Sequence, residues 1–240
     1  MKVANVQTRI YLDEFNLSGE LNSTEQNLEQ ELAKTEAFSN DGPRRIVGNY
    51  DVRHSELGLF EPTEEASDEQ IFALLGDGAD HYLTKLFGAN AEGDVAFDSV
   101  VRITGQPRSA QSGGAVLLNF DSEGSEGLVR GVVLGNVTST GVENRSGRDQ
   151  GATAAPTVYA VTFRVIAFTG TDITLALEES SDDGGGDAYA AISGLSNTFT
   201  AAGVARKTTA AATEAWKRLA ITGTFSSAEL LVTAGVVLGT

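Results

Sequence analysis

Two histidines and the absence of cysteine limit the chemistry that this chain can perform. Without cysteine there is no disulfide, thiolate metal ligand or thiol nucleophile. Neither His54 nor His81 has a serine or a metal-ligating residue at a usable spacing, so each is interpreted as a packed or solvated side chain. The sequence therefore predicts no nucleophilic catalytic site.

Two acidic stretches resemble cation sites but lack the required spacing. Residues 77–81 (DGADH) and 180–187 (SSDDGGGD) are rich in oxygen ligands. Neither has aspartates at alternate positions followed by a closing glutamate, as a calcium loop requires. Residues 184–186 (GGG) precede no lysine or helix that would hold a phosphate. We therefore expect no enzyme activity, no cofactor and no metal.

The charge balance disfavours nucleic acid as a bound partner. The chain has 33 acidic and 17 basic residues, for a net charge of −16. Nucleic-acid affinity comes from cations that neutralise phosphates. An acidic wall past which DNA slides without sticking is compatible with this charge, and so is plain solubility. Arginine outnumbers lysine, which is typical either of a salt-loving host or of a GC-rich genome.

The sequence shows neither a signal-peptide pattern nor a membrane-spanning apolar run. The first residues, MKVANVQTRIYLDE, lack the apolar run of a signal peptide, and no stretch approaches about 18 consecutive apolar residues. The expectation is a protein made in the host cytoplasm, with no membrane partner.

The first half of the chain has the pattern of an all-β domain with one helix. Short alternating segments separated by Gly, Ser and Asp turns indicate a sandwich or barrel. Residues 68–75 combine acidic residues in the first turn with an apolar stripe, which predicts a short helix that ends at Gly76. Residues 24–38 are rich in helix formers, but we predict a strand there, on the resemblance described below.

The second half, after a polar stretch, shows the same pattern of short alternating segments and turns. Residues 138–156 contain little apolar material and are interpreted as a linker or long loop. Residues 158–168 and 173–180 alternate around TGTD, which predicts a hairpin. Further strands are predicted at 189–192, 197–200, 218–224 and 229–238. Residues 208–216 are compatible with a short helix.

Several segments in order resemble one family. Residues 15–23 (FNLSGELNS), 42–48 (GPRRIVG) and 57–60 (LGLF) are similar to the opening of tail tube (major tail) proteins of long-tailed viruses, whether siphovirus-like phages or tailed viruses of haloarchaea. The resemblance recurs at 128–134 and 160–181 and covers most of the chain loosely. It implies β-sandwich subunits that stack as rings into a hollow tube for genome delivery, with a single helix beside the sandwich.

The resemblance also implies partners and contact residues. Each ring would present six tube domains, as a hexamer or a trimer, with other tail proteins at the tube ends and DNA passing unbound through the lumen. The virion tail would be the final location. A loop between early strands would contact the next ring, and it carries the following candidates: Phe38, Asn40, Asp41, Arg44 and Arg45.

The predicted organisation is therefore mostly β, in two parts. Residues 1–137 form a tube-like β domain with one short packed helix, residues 138–156 a linker or long loop, and residues 157–240 a second small β domain or a duplicated tube-like domain. The alternative function is a carbohydrate-binding or adhesin-type β-sandwich module. It requires an aromatic platform, whereas the chain has one tryptophan and five tyrosines.

Overall fold

A computed structural model describes residues 8–19, 21–35, 44–59, 67–88, 90–110, 116–153 and 157–238. Within these ranges the chain forms fifteen strands and one helix. The elements of the first half are β1 (Thr8–Leu12), β2 (Phe15–Asn16), β3 (Leu21–Thr35), β4 (Arg44–Leu59), α1 (Ser67–Leu74), β5 (His81–Phe87), β6 (Val95–Gly105), β7 (Arg108–Ala110) and β8 (Val116–Gly124). Those of the second half are β9 (Val129–Ser139), β10 (Glu143–Asn144), β11 (Arg148–Asp149), β12 (Tyr159–Ser180), β13 (Ala190–Phe199), β14 (Gly203–Thr209) and β15 (Trp216–Val237).

These elements confirm the mostly β class with one short helix. The predicted strand over residues 24–38 is confirmed as far as Thr35, and residues 36–38 lie outside the described residues. Helix propensity gives way here because β3 pairs along its whole length with β4, and tertiary pairing outweighs a weak local preference.

The first half is built around an antiparallel sheet in the order β1, β5, β6. One face of this sheet and strand β8 bury a core with Leu12, Leu83 and Phe120, and Ile71 of α1 packs into it. The helix therefore covers this core, and Gly76 follows it with a left-handed φ of 83° that favours glycine. Among the described residues, no helix is long and apolar enough to cross a membrane.

The second half contains two long strands, β12 and β15, which pair with each other from end to end. The predicted hairpin over residues 158–180 is wrong, because both of its arms belong to the single strand β12. The TGTD segment is a bend instead: the register with β15 shifts three times between Val165 and Asp172. A Cβ on Gly170 would overlap Phe225 of β15, so the bend needs glycine there.

Three other predictions for the second half are also wrong. The strands predicted at 218–224 and 229–238 are one strand, β15, and those predicted at 189–192 and 197–200 are one strand, β13. A helix over 208–216 does not form. There the backbone N–H groups of Thr213 and Glu214 each donate to the Glu179 carboxylate at 3.0 Å, which holds this segment as a loop.

The bend brings both ends of β12 to one core. Residues from both ends of β12, such as Phe163 and Leu175, belong to one buried cluster with Leu219 and Leu230 of β15. Strand β9 pairs with both β15 and β6, so it joins the two halves of the chain. The segment predicted as a linker contains β10 and β11, and both pair with β15. The division into two domains at 138–156 stays a prediction.

Candidate assembly surfaces and their buried anchors

The β3–β4 hairpin projects beyond the strands that support it. Strand β4 pairs with β8 only over Arg53–Leu59, and the side chain of Val52, next to this stretch, is buried. Residues 29–35 and 44–51, which we call the arm, pair only with each other among the described residues. At about 3.3 Å per residue the arm extends roughly 23 Å. An isolated two-stranded ribbon is only marginally stable in water, so this length favours a partner.

Two of the predicted contact residues fall at the far end of the arm. Arg44 and Arg45 open β4, where they pair with Thr35 and Lys34. The other three candidates, Phe38, Asn40 and Asp41, lie outside the described residues. The backbone thus brings two of the five candidates to the end of the hairpin, and their role in contact stays a prediction.

Two long strand edges face away from the body of the sheet. Within the described residues, β3 pairs with β4 alone, and β13 and β14 pair with β12 alone. By contrast, Ser18 covers the outer edge of β1, where its hydroxyl accepts from the N–H of Ile10 at 2.9 Å. Uncovered edges offer unpaired N–H and C=O groups to another strand.

The two open edges differ in charge. Strand β3 carries three glutamates and one lysine. Residues 190–209, which contain β13 and β14, carry Arg206 and Lys207 and no carboxylate. In a chain with a net charge of −16, this is an unusual stretch without acid. The β3 edge is therefore acidic. The β13–β14 edge carries no acid, and its partly exposed cation is Lys207, because the Arg206 side chain is buried and lies 3.8 Å from the Glu126 carboxylate.

A buried ion pair anchors the hairpin to the first sheet. Lys85 of β5 contacts the carboxylate of Glu56 of β4, and both side chains are fully buried. The Lys85 ammonium also donates to the backbone carbonyl of Glu25 on β3 at 2.9 Å. Burial raises the pKa of Glu56 and lowers the pKa of Lys85, while each charge partly offsets the shift of the other.

His54 lies two residues before Glu56 on the same inward face of β4. Its Nε2 is 3.0 Å from the hydroxyl of Ser99 on β6. Burial, with the Lys85 charge as a second cause, lowers the pKa of His54 to about 3. The imidazole is therefore neutral at physiological pH, and it serves as a packed polar contact.

A second buried cation joins the two halves of the molecule. Arg164 of β12 donates to the backbone carbonyl of Tyr82 and to the hydroxyl of Thr84, each at 3.0 Å, and to the carbonyl of Asp13. Thr84 in turn donates to the carboxylate of Asp98 at 2.5 Å. Burial lowers the pKa of Arg164 to about 10 and raises that of Asp98. Strand β5 thus carries one buried polar network on each face.

The segments considered for cation binding have carboxylates that already bond to donors of the protein. The Asp182 carboxylate accepts from the backbone N–H groups of Gly186 and Asp187, which closes the 180–187 loop on itself. His81 bridges Asp13 and Asp77, with ring nitrogens 2.8 and 3.3 Å from their carboxylates. Among the described residues, no cluster of three acidic or histidine side chains is arranged to hold a metal ion.

Sequence reasoning missed the anchoring residues. Lys85 stands inside the apolar strand HYLTKLF, and Arg164 stands inside the apolar run YAVTFRVIAF. A lone charge at an inward position of such a strand is the signal that was available, because buried charges are rare unless they are paired. Their partners, Glu56 and Asp98, could not be chosen from the many carboxylates of the chain.

No family model and no curated protein matches this chain. Among solved structures it resembles a chain in the virion of a native gene transfer agent particle, at 16% identity over 51% of this chain and 93% of the other, with a TM-score of 0.41. A chain from the tail of an empty gene transfer agent particle with C6 symmetry aligns at 14% identity, over 51% and 92%, with a TM-score of 0.39. The Dit protein of phage SPP1, described as a hub adsorption apparatus of phages that infect Gram-positive bacteria, aligns at 14% identity over 96% and 99%, also with a TM-score of 0.39. At these TM-scores the likenesses carry no argument about function.

Proposed function

We propose that this chain is a structural subunit of a viral tail, and that copies of it assemble into rings stacked as a hollow tube. The observation that carries the proposal is the arm together with two open strand edges of opposite charge. The sequence resemblance of residues 15–23, 42–48 and 57–60 to tail tube proteins supports it, because two of these segments flank the arm and the third includes its far end.

The mechanism follows from the geometry of the edges. A head-to-tail contact joins two different surfaces of one molecule, and a ring closes if the rotation between copies permits. The acidic β3 edge of one copy pairs with the basic β13–β14 edge of the next, which removes both open edges. The arm then projects from each ring toward its neighbour, where Arg44 and Arg45 meet the acidic surface of another copy.

Sedimentation velocity of the full chain tests this contact. Lys207 lies half-buried on β14, and Lys207→Glu places an acid on the edge that otherwise has none. We expect wild type to form discrete oligomers and Lys207→Glu to associate at least ten-fold more weakly. Arg102→Glu is the matched control, because it makes the same charge change at an exposed site in the middle of the sheet.

Two results would count against the proposal. Wild type that stays monomeric at every salt and protein concentration would remove the assembly role. Equal weakening by Lys207→Glu and Arg102→Glu would show that net charge, and not the β13–β14 edge, controls association.

A further inference from the structure

The hairpin is docked on the first sheet through an unusually polar face. Within residues 51–59 of β4 the buried residues alternate along one side, and they are Val52, His54, Glu56 and Gly58. Only Val52 among them is an apolar side chain of any size. On the opposing sheet they meet Ser99 and Lys85. Docking therefore depends on these side-chain hydrogen bonds and charges, which change with protonation, as well as on the backbone pairing of Arg53–Leu59 with β8.

His54 is the weak point of this interface. Its side chain is 3% exposed, and its Nδ1 has no hydrogen-bond partner within the described ranges. The neighbouring Ser122 hydroxyl of β8 is likewise buried and unpartnered among those residues. A proton on Nδ1 would place a second cation beside Lys85 with no carboxylate bonded to it, which is costly in a buried site.

We propose that the β3–β4 hairpin can be released by acid: β4 separates from β8 and from the β5–β6 sheet, the exposed His54 takes up a proton, and the arm moves with the hairpin. The proton comes from solvent and is taken up by the imidazole once it is exposed. Because release is a property of the single chain, it holds whether or not the chain forms tubes.

The sign of the effect follows from linkage. Docking lowers the pKa of His54 from 6.5 to about 3, so the released hairpin binds the proton more tightly than the docked hairpin. Docking is fully favourable above pH 6.5 and weakens as the pH falls toward 3. Between pH 7.5 and pH 5 the constant for release rises about 30-fold.

Other charged groups surround His54, and their effects on the pH dependence of release can be separated from that of His54. Lys85 faces it from β5 and Glu56 follows it on β4. Side chains on the open side of the site form a groove, and its charged members are Glu25 on β3, Arg53 on β4, and Asp121 and Glu123 on β8. Protonation of Glu56 would act in the opposite direction, because burial raises the pKa of Glu56. All of these groups are present in a His54→Gln variant, so the difference from wild type isolates His54.

Hydrogen exchange detected by mass spectrometry measures the release directly. The readout is the protection factor of amides in residues 52–58, corrected for the intrinsic pH dependence of exchange, from pH 7.5 to pH 5. Wild type is expected to lose about 30-fold in protection, as the linkage relation gives for the His54 shift. His54→Gln is expected to lose none, and amides of β12 are expected to keep their protection in both.

His81→Gln is the matched control, because it removes the other buried histidine from outside the hairpin. It should keep the acid response of wild type. A flat wild-type curve overturns the proposal, as does an equal loss in His54→Gln or an equal loss across β12. If His54→Gln does not fold, the wild-type curves for β4 and β12 decide the matter alone.

Discussion

At the scale of single residues, the structure places positive charges inside a strongly acidic protein. Lys85, Arg164 and Lys217 are among its largest fully buried side chains. Each is paired with a carboxylate or with backbone carbonyls, and Lys217 lies 3.1 Å from the carboxylate of Glu179. Since a buried ion pair adds little net stability but is costly to break, these residues fix how segments dock more than how tightly the chain folds.

Removing one member of the hairpin anchor should therefore be severe. Lys85→Met leaves the buried Glu56 carboxylate without its cation, and we expect a loss of about 3–5 kcal/mol in the free energy of unfolding. The double variant Lys85→Met with Glu56→Met removes both charges and should recover most of that loss. Urea denaturation followed by fluorescence measures both.

The half-exposed Lys207 supplies the control for this pair of variants. Lys207→Met should change the free energy of unfolding by less than about 0.5 kcal/mol. If Lys85→Met is equally mild, the Lys85–Glu56 contact does not anchor the hairpin.

At the scale of elements, the sequence predicts strand content well and strand connection poorly. The helix predicted at 68–75 follows from its local sequence pattern, and it forms over Ser67–Leu74. The turn chemistry of TGTD is equally local, yet the segment bends one strand, because β15 offers pairing partners on both sides of it. A turn and a bulged bend use the same residues, and only the distant partner strand decides between them.

The candidate assembly surfaces also depend partly on local sequence and partly on distant partners. Local pattern favours a helix over residues 24–38, and only the resemblance to tail tube proteins favours the strand that forms there as far as Thr35. That the strand edges stay open depends on which strands lie beside them, and that information is spread over the whole chain. The buried anchors depend on contacts between residues far apart in sequence, such as Arg164 with Tyr82.

The seam between β9 and β15 provides an element-scale prediction. Gly131 and Gly235 lie opposite each other in register, and a Cβ on Gly235 would overlap the backbone of Arg130 and Gly131. Gly235→Ala should therefore destabilise the protein by about 1–3 kcal/mol, as overpacking does. Thermal unfolding by calorimetry measures this loss.

Gly141→Ala is the matched control for the seam, because a Cβ at Gly141 meets no atom within 4 Å. It should leave the melting temperature nearly unchanged. Equal behaviour of the two variants would show that β9 and β15 separate easily, and that the two halves are less firmly joined than the register indicates.

At the scale of the whole molecule, charge decides when copies meet. A net charge of −16 makes copies repel each other at low ionic strength. At molar salt the screening length falls to about 3 Å, so contacts between strand edges outlast the repulsion. Salt also screens the attraction between the β3 and β13–β14 edges, but backbone pairing along them remains, and the repulsion that salt removes comes from the whole net charge of −16. Assembly should therefore increase with salt.

Negative-stain electron microscopy of the purified full chain, at low and at molar salt, tests the central claim most directly. We predict rings or hollow filaments that become more abundant at molar salt, with three-fold or six-fold symmetry. Three-fold symmetry would mean two tube domains in each chain, and six-fold symmetry would mean one. Single particles of monomer size at both salt concentrations would contradict the assembly role.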